Sequence, residues 1–303
     1  MSQRLKWDTD GARWPHRAHS RFVQAAGLNW HVQQFDATAS QMPTVLLLHG
    51  TGASTHSWRS LAPLLAPYFA VLSLDLPGHA FTSMPAGGSS SQLMSLPGMA
   101  KAIGLLLVVL GIQPQLVIGH SAGAAIAVRM ALDAVVKPKH IIGINAALQP
   151  LGGLAGQLFS PAAKLMSALP FVPSLFSWQA TIPGVLQKLV DSTGSKLDAE
   201  GMALYAQLVT SPAHTAGALA MMAHWDLPQL ALDLPGLIVP LSLIVGGQDQ
   251  TVPPRQAAKL VACWPASSAL PPPRLVTLAG LGHLAHEEQA ANVVKLVLEL
   301  INA

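Results

Sequence analysis

QLVIGHSAGAAIAVRM, residues 115–130, runs apolar residues into Gly119-His120-Ser121-Ala122-Gly123 and then resumes with small apolar ones. The first part reads as a short strand buried on both faces, the second as a helix. A serine bracketed by glycines at that joint is either a tight turn or a reactive site. The Gly-x-Ser-x-Gly spacing alone does not separate the two. The surrounding chain has to.

Working outward, the same alternation recurs. RFVQAAGLNWHVQQF (21–35) predicts a hairpin around Ala26-Gly27. TVLLLHG (44–50), FAVLSLDLPG (69–78), HIIGINAAL (140–148), PLSLIVGGQD (240–249) and RLVTLAG (274–280) predict further strands. Helical stretches fall between them, at 57–68, 96–111, 121–134 and 254–263, and another follows the last strand. Strands alternating with helices imply an α/β protein with a mostly parallel sheet and crossover helices. From about residue 149 the pattern changes to a stretch rich in Pro, Met and aromatics with no strand period. Helices are expected there at 198–210 and 214–225. The predicted organisation is a core of residues 1–148 and 231–303, with 149–230 as a helical cap.

Composition narrows the class. Of 303 residues, 51% are hydrophobic and only 10% charged, so a large buried core is expected and disorder is not. The same excess leaves room for an apolar cavity or contact at a membrane surface. Seventeen Lys and Arg against 14 Asp and Glu give +3, too small and scattered to mark a nucleic-acid partner. The single cysteine, Cys263, excludes an internal disulfide and suits a reducing compartment. Its surroundings read as a helix end, hence a core or surface thiol. The first twenty residues carry no apolar run, and the greasiest stretch, residues 102–112, is too short to span a bilayer. A cytoplasmic protein with peripheral membrane contact left open is expected.

The chemistry turns on what Ser121 could meet. At a strand-to-helix joint a serine takes a strained conformation that lifts Oγ above the sheet edge, and the helix behind it favours developing negative charge. A serine hydroxyl needs a base, and the base needs an orienting acid. Asp249, in VGGQDQTVP, follows one strand pattern, and His283, in AGLGHLAHEE, follows the next. Both therefore belong at carboxyl ends of parallel strands, the edge where ligands collect. Backbone N–H groups of Ala122, and of Thr51 in HGTG (49–52), are the expected oxyanion donors. His49 reads as a loop brace.

LLLHGTGASTHSW, LDLPGHAFT, VIGHSAGAA, VGGQDQTVP and GLGHLAHEE together resemble the α/β-hydrolase superfamily along nearly the whole chain. Other phrases are similar to its bacteriochlorophyll-synthesis branch, described as magnesium-chelatase accessory proteins: WPHRAHSRFVQAAGLNWHVQ, HGTGASTHSW, GHSAGAAIAVRM, GLAGQLFSPAAKL and HTAGALAMMAHWDL. The resemblance implies an eight-stranded, mostly parallel sheet, with Ser121 as nucleophile, Asp249 as acid and His283 as base. It implies no cofactor. It also implies a setting in tetrapyrrole metabolism, with a porphyrin or lipid ester as substrate and magnesium chelatase as a partner. One departure is Ala80, where the family's turn after Asp-Leu-Pro-Gly-His has glycine.

Other residues are weighed against plain packing. His283 and His286 do not make the His-Glu-x-x-His metal pattern, and no metal is expected. His120 reads as packing beside the elbow, and Asp75 as bracing its turn. Asn145 is an amide and cannot neutralise an imidazolium, which favours Asp249. His56 and Trp58 either line the pocket or pack. In the cap, Met166, Phe171, Phe176, Trp178, Met221, Met222 and Trp225 are candidates for an apolar wall. Of the whole set, His56, Trp58, Phe176, Trp178 and Met222 are the expected substrate contacts, with packing the competing reading for each. A cap this apolar suits a bulky hydrophobic acyl group or ring. Two rivals stand beside a serine esterase: a non-catalytic accessory with an idle triad, and non-hydrolytic chemistry on the same three residues.

Overall fold

The protein is represented by a computed structural model, which describes residues 4–36, 42–150, 169 and 171–302. Eight strands form one sheet: β1 (Ser20–Ala25), β2 (Leu28–Phe35), β3 (Thr44–Leu48), β4 (Ala70–Leu74), β5 (Leu116–His120), β6 (His140–Ile144), β7 (Leu241–Gly246) and β8 (Arg274–Leu278). Their order is β1-β2-β4-β3-β5-β6-β7-β8. β1 and β2 pair antiparallel, as do β2 and β4, and the other neighbours are parallel. Ala26 and Gly27 both have positive φ (52° and 73°), which lets two residues close the first hairpin.

The helices are α1 (Leu61–Leu65), α2 (Leu96–Leu110), α3 (Ala122–Leu132), α4 (Val172–Ala180), α5 (Val185–Asp191), α6 (Ala199–Val209), α7 (Pro212–Ala223), α8 (Leu227–Asp233), α9 (Pro254–Ala262), α10 (Ala285–Glu288) and α11 (Ala290–Ile301). Local chemistry sets their ends. Ser95 caps α2 by accepting the Gly98 N–H, and Gly111 stops it in the left-handed region at φ 67°. The helix expected over 57–68 divides into a short 3-10 turn, Thr55–Trp58, and α1. The strand expected to run to 148 stops at Ile144, because Asn145 turns the chain at φ 47°.

The centre of the sheet, β3–β7, is apolar on both faces, which is why these strands read as mostly hydrophobic runs. Leu46, Leu48, Leu72, Leu74 and Val117 pack with Met99, Ile103 and Leu106 of α2 and Ile126 and Met130 of α3. Their alternating neighbours Val45, Leu47, Val71 and Ile118 pack with Leu61 and Leu65 of α1 and Val293 and Val297 of α11. Between β6 and β7 the described chain forms α4–α8 and no strand, in the stretch where an all-helical insert is expected. Met166 lies outside the described residues. Among the described residues no helix is long and apolar enough to cross a membrane.

Candidate active site

The joint between β5 and α3 forces Ser121 to φ 52°, ψ −115°, a conformation that a non-glycine residue holds only when its surroundings impose it. They do. The Ser121 N–H donates to Ile144 O at 3.0 Å, and its carbonyl accepts from Ala124 and Ala147. A Cβ on Gly119 would stand 2.4 Å from Ala124 N, and one on Gly123 would stand 2.0 Å from Leu48 O. Only glycine lets strand and helix approach this closely, so the bracketing residues follow from the packing. Ser121 Oγ makes no hydrogen bond to another described residue.

Asp249 and His283 meet beyond the ends of β7 and β8. His283 Nδ1 donates to Asp249 Oδ2 at 2.8 Å, which leaves Nε2 as the nitrogen able to take a proton. Asp249 Oδ1 accepts the N–H groups of Thr251 (2.8 Å) and Val252 (2.9 Å). Asn145 Nδ2 donates to Asp249 Oδ2 at 2.7 Å and reaches Gly282 O at 3.3 Å. Asn145 is thus a hydrogen-bond partner of Asp249, a contact the sequence reading passes over. Its place after β6, across from Asp249, is the signal that could have found it. Its own Oδ1 is buried without a partner.

The histidines around this centre are held neutral. His120 Nε2 donates to His283 O at 2.9 Å, and its ring lies 4.8 Å from His283 and 4.4 Å from His286. Burial pushes His120 well below the usual imidazole range and His286 down to about 3. His49 accepts the Leu76 N–H at Nε2, so Nδ1 donates to Gly50 O; burial brings it to about 4. It braces the loop that carries Thr51. Neither the Thr51 nor the Ala122 amide donates to a described residue, and Thr51 Oγ1 lies 3.5 Å from Met221 Sδ.

The remaining residues fall in different places. Asp75 takes His31 Nδ1 and the Thr55 and Phe81 amides, which brace its turn. His56 is buried between Trp14 and Tyr205, and Trp58 sits in the core against His286, so packing describes what both touch. Phe176 and Trp178 are 46% and 61% exposed on α4. In α7 it is Met221, not the half-buried Met222, that contacts Thr51. Ala80 takes φ 40°, where glycine would be unstrained, and its N–H is held by His214 Nδ1 at 3.0 Å. Two surface grooves of about 640 and 610 Å³, beside α2 and between α1 and α11, contain none of the candidate site residues.

Comparison with known proteins agrees with this architecture. The chain is 37% identical over 288 residues to the magnesium-chelatase 30 kDa subunit of Rhodobacter capsulatus, covering 95% of this chain and 96% of that one. It is 26% identical over 278 residues to 2-hydroxy-6-oxo-6-phenylhexa-2,4-dienoate hydrolase of Burkholderia cepacia, covering 87% and 89%. The crystal structure of the enol-lactonase from Burkholderia xenovorans superposes with a TM-score of 0.70 at 19% identity, covering 93% of this chain and all of the other. The sequence profile of the alpha/beta hydrolase family matches residues 45–296, and the chain belongs to that family.

Proposed function

We propose that the protein is a serine hydrolase that cleaves an ester or related acyl bond of a hydrophobic substrate. The observation that carries the reading is the 2.8 Å bond from His283 Nδ1 to Asp249 Oδ2, in a chain whose Ser121 stands on a strained strand-to-helix joint. In this reading Ser121 Oγ attacks the carbonyl carbon as His283 Nε2 takes its proton. Asp249 holds the imidazole and stabilises its charge. The Thr51 and Ala122 amides receive the oxyanion, a contribution worth ~10²–10³ in rate per donor. Collapse expels the alcohol, which leaves with the proton from Nε2. Water then attacks the acyl-serine the same way, so ester and water become acid and alcohol, with no cofactor in the balance.

The described helices α4–α8 act as the cap, and in α7 Met221 Sδ lies 3.5 Å from Thr51 Oγ1. The setting we infer is bacteriochlorophyll synthesis, on the likeness to the R. capsulatus protein, with a porphyrin or lipid ester as the substrate class. Fluorophosphonate labelling tests the reading. Ser121 should label and Ser121→Ala should not, and esters with long acyl chains should turn over faster than acetate. The magnesium-chelatase name of that relative favours a second reading, a non-catalytic partner of the chelatase. Absence of labelling, together with Ser121→Ala that still binds chelatase and supports pigment synthesis, would establish the second reading over the first.

A further inference from the structure

The insert does more than cover the sheet edge. Between α5 and α6 it sends the segment Thr193-Gly194-Ser195 into the gap between the loop that carries Asp249 and the loop that carries His283. The carbonyl of Thr193 accepts two amides, Gln250 N–H and His283 N–H, each at 3.2 Å. One belongs to the residue after the acid, the other to the base itself. Ser195 is 1% exposed, and its Oγ accepts the Leu284 N–H at 2.8 Å. Four residues beyond Leu284, Glu288 accepts Lys196 N–H at one oxygen (3.2 Å) and Gly282 N–H at the other (2.9 Å).

The fit is tight enough to fix backbone positions. Gly194 sits at φ 80°, and a Cβ there would stand 2.1 Å from Gln248 O. A Cβ on Gly282 would meet Gly194 C at 2.3 Å. Thr193 is itself tied to the end of α5 by its Oγ1 to Val190 O at 2.6 Å. At Gly194 the segment is packed against both loops main chain to main chain, which leaves little room there to absorb a shift.

We infer that Thr193-Gly194-Ser195 is a positioning clasp, and that Ser195 sets where the His283 imidazole stands relative to Asp249 and Ser121. The inference rests on the proposed hydrolase reading for its consequence, though not for its geometry. Without the hydroxyl, the Leu284 amide is left buried and unpaired, and the loop behind His283 must move to reach another acceptor. A displacement of that loop by a fraction of an ångström alters the aim of Nε2 directly, and a misplacement of about 1 Å costs on the order of a hundredfold in rate. It also couples the insert to the chemistry, since whatever displaces residues 193–195 displaces the base.

Two readouts test this on the full-length protein. The first is the low-field proton resonance of His283 Nδ1–H, which reports the bond to Asp249 without turnover and is assigned by its loss in His283→Gln. The second is the fluorophosphonate labelling rate of Ser121 against pH. Ser195→Ala should shift or broaden the resonance, slow labelling about tenfold or more and move the pH profile, while Ser195→Thr restores all three. Ser177→Ala is the control: it cuts a buried hydroxyl bond within the insert, to Pro173 O and Thr215 Oγ1, remote from both loops, and should label as wild type. Glu288→Gln loosens the neighbouring ties with Ser195 intact and should give an intermediate slowing, which serves if Ser195→Ala does not fold. An unchanged resonance and labelling rate in Ser195→Ala, or an equal loss in Ser177→Ala, overturns the clasp. Wild type that fails to label overturns the hydrolase reading alone, because the resonance still decides the clasp.

Discussion

Lowering the pH from about 7 to about 5 should cost this protein several kcal/mol of folding stability, because it buries imidazoles in neutral form. Burial brings His49 and His214 from the ordinary 6.5 to about 4, and His286 to about 3. Nearby charge modulates these values. Asp75 acts to raise His49 and His214, while His283 and Arg59 lower His286 further. A group whose folded pKa is depressed is protonated first in the unfolded chain. Stability is therefore intact above pH 6.5 and falls as the pH drops toward the folded value. Each of the three loses on the order of 2 kcal/mol between pH 7 and pH 5, so together they lose several kcal/mol. Glu287 opposes this. Burial raises it to about 7 despite Arg59 and Tyr205, so it takes up a proton in the folded state over the same range and returns about 2 kcal/mol. His56, His79 and His120, all pushed well below 6.5 by burial, add to the loss. Against a total stability of about 5–15 kcal/mol, the net loss is a sizeable fraction of what holds the fold. Urea midpoints followed by tryptophan fluorescence and circular dichroism should fall steadily below about pH 6.5. His214→Gln should flatten that slope by up to about 1.4 kcal/mol per pH unit, one proton's share. A midpoint that holds steady or rises from pH 7 to pH 5 would refute the reasoning.

Gly123→Ala drives a Cβ to within 2.0 Å of Leu48 O and should lower stability by about 3 kcal/mol, read as thermal unfolding; a melting point near wild type would mean the joint has slack. Arg59→Met removes the ion-pair partner of the fully buried Glu287, which should then hold its proton at neutral pH, at a cost of about 1–3 kcal/mol for the lost bonds, most of it recovered in Arg59→Met/Glu287→Leu. Asn145→Ala removes a donor from Asp249 Oδ2 and should slow Ser121 labelling about tenfold in a folded protein. Asn145→Asp instead sets a second carboxylate against the first. The pair should hold a proton at neutral pH, so that labelling recovers only as the pH is raised.

The central strands β3–β7 were legible because they are buried on both faces, so each reads as a short, mostly apolar run. Ser121, Asp249 and His283 were legible as candidates because each follows such a run. The contacts that tune them were not. Ser195 and Leu284 are 89 positions apart, and no local pattern couples them. Asn145 reads as an ordinary amide until Asp249 is seen 2.7 Å away. The pocket expectations met a different obstacle. AGALAMMA in α7 offers no polar face, so nothing in its spacing distinguishes Met221, which touches Thr51, from Met222. Likewise α4 carries Phe176 and Trp178 outward while Val172 and Ser177 face in, an arrangement its composition does not announce. His56 and Trp58 follow the Thr51 loop closely in sequence, but the 3-10 turn they form directs both into packing.

His283 lies beyond β8, the strand at one margin of the sheet, and Ser121, Asn145, residues 193–195 and Asp249 all precede it in the chain. A ribosome delivers this polypeptide from its amino end. During synthesis Ser121, residues 193–195 and Asp249 are all made before the imidazole of His283. A chain still short of β8 therefore lacks the His283–Asp249 bond and the ties from residues 193–195 to the loop after β8, and these contacts form only once the last strand has been made.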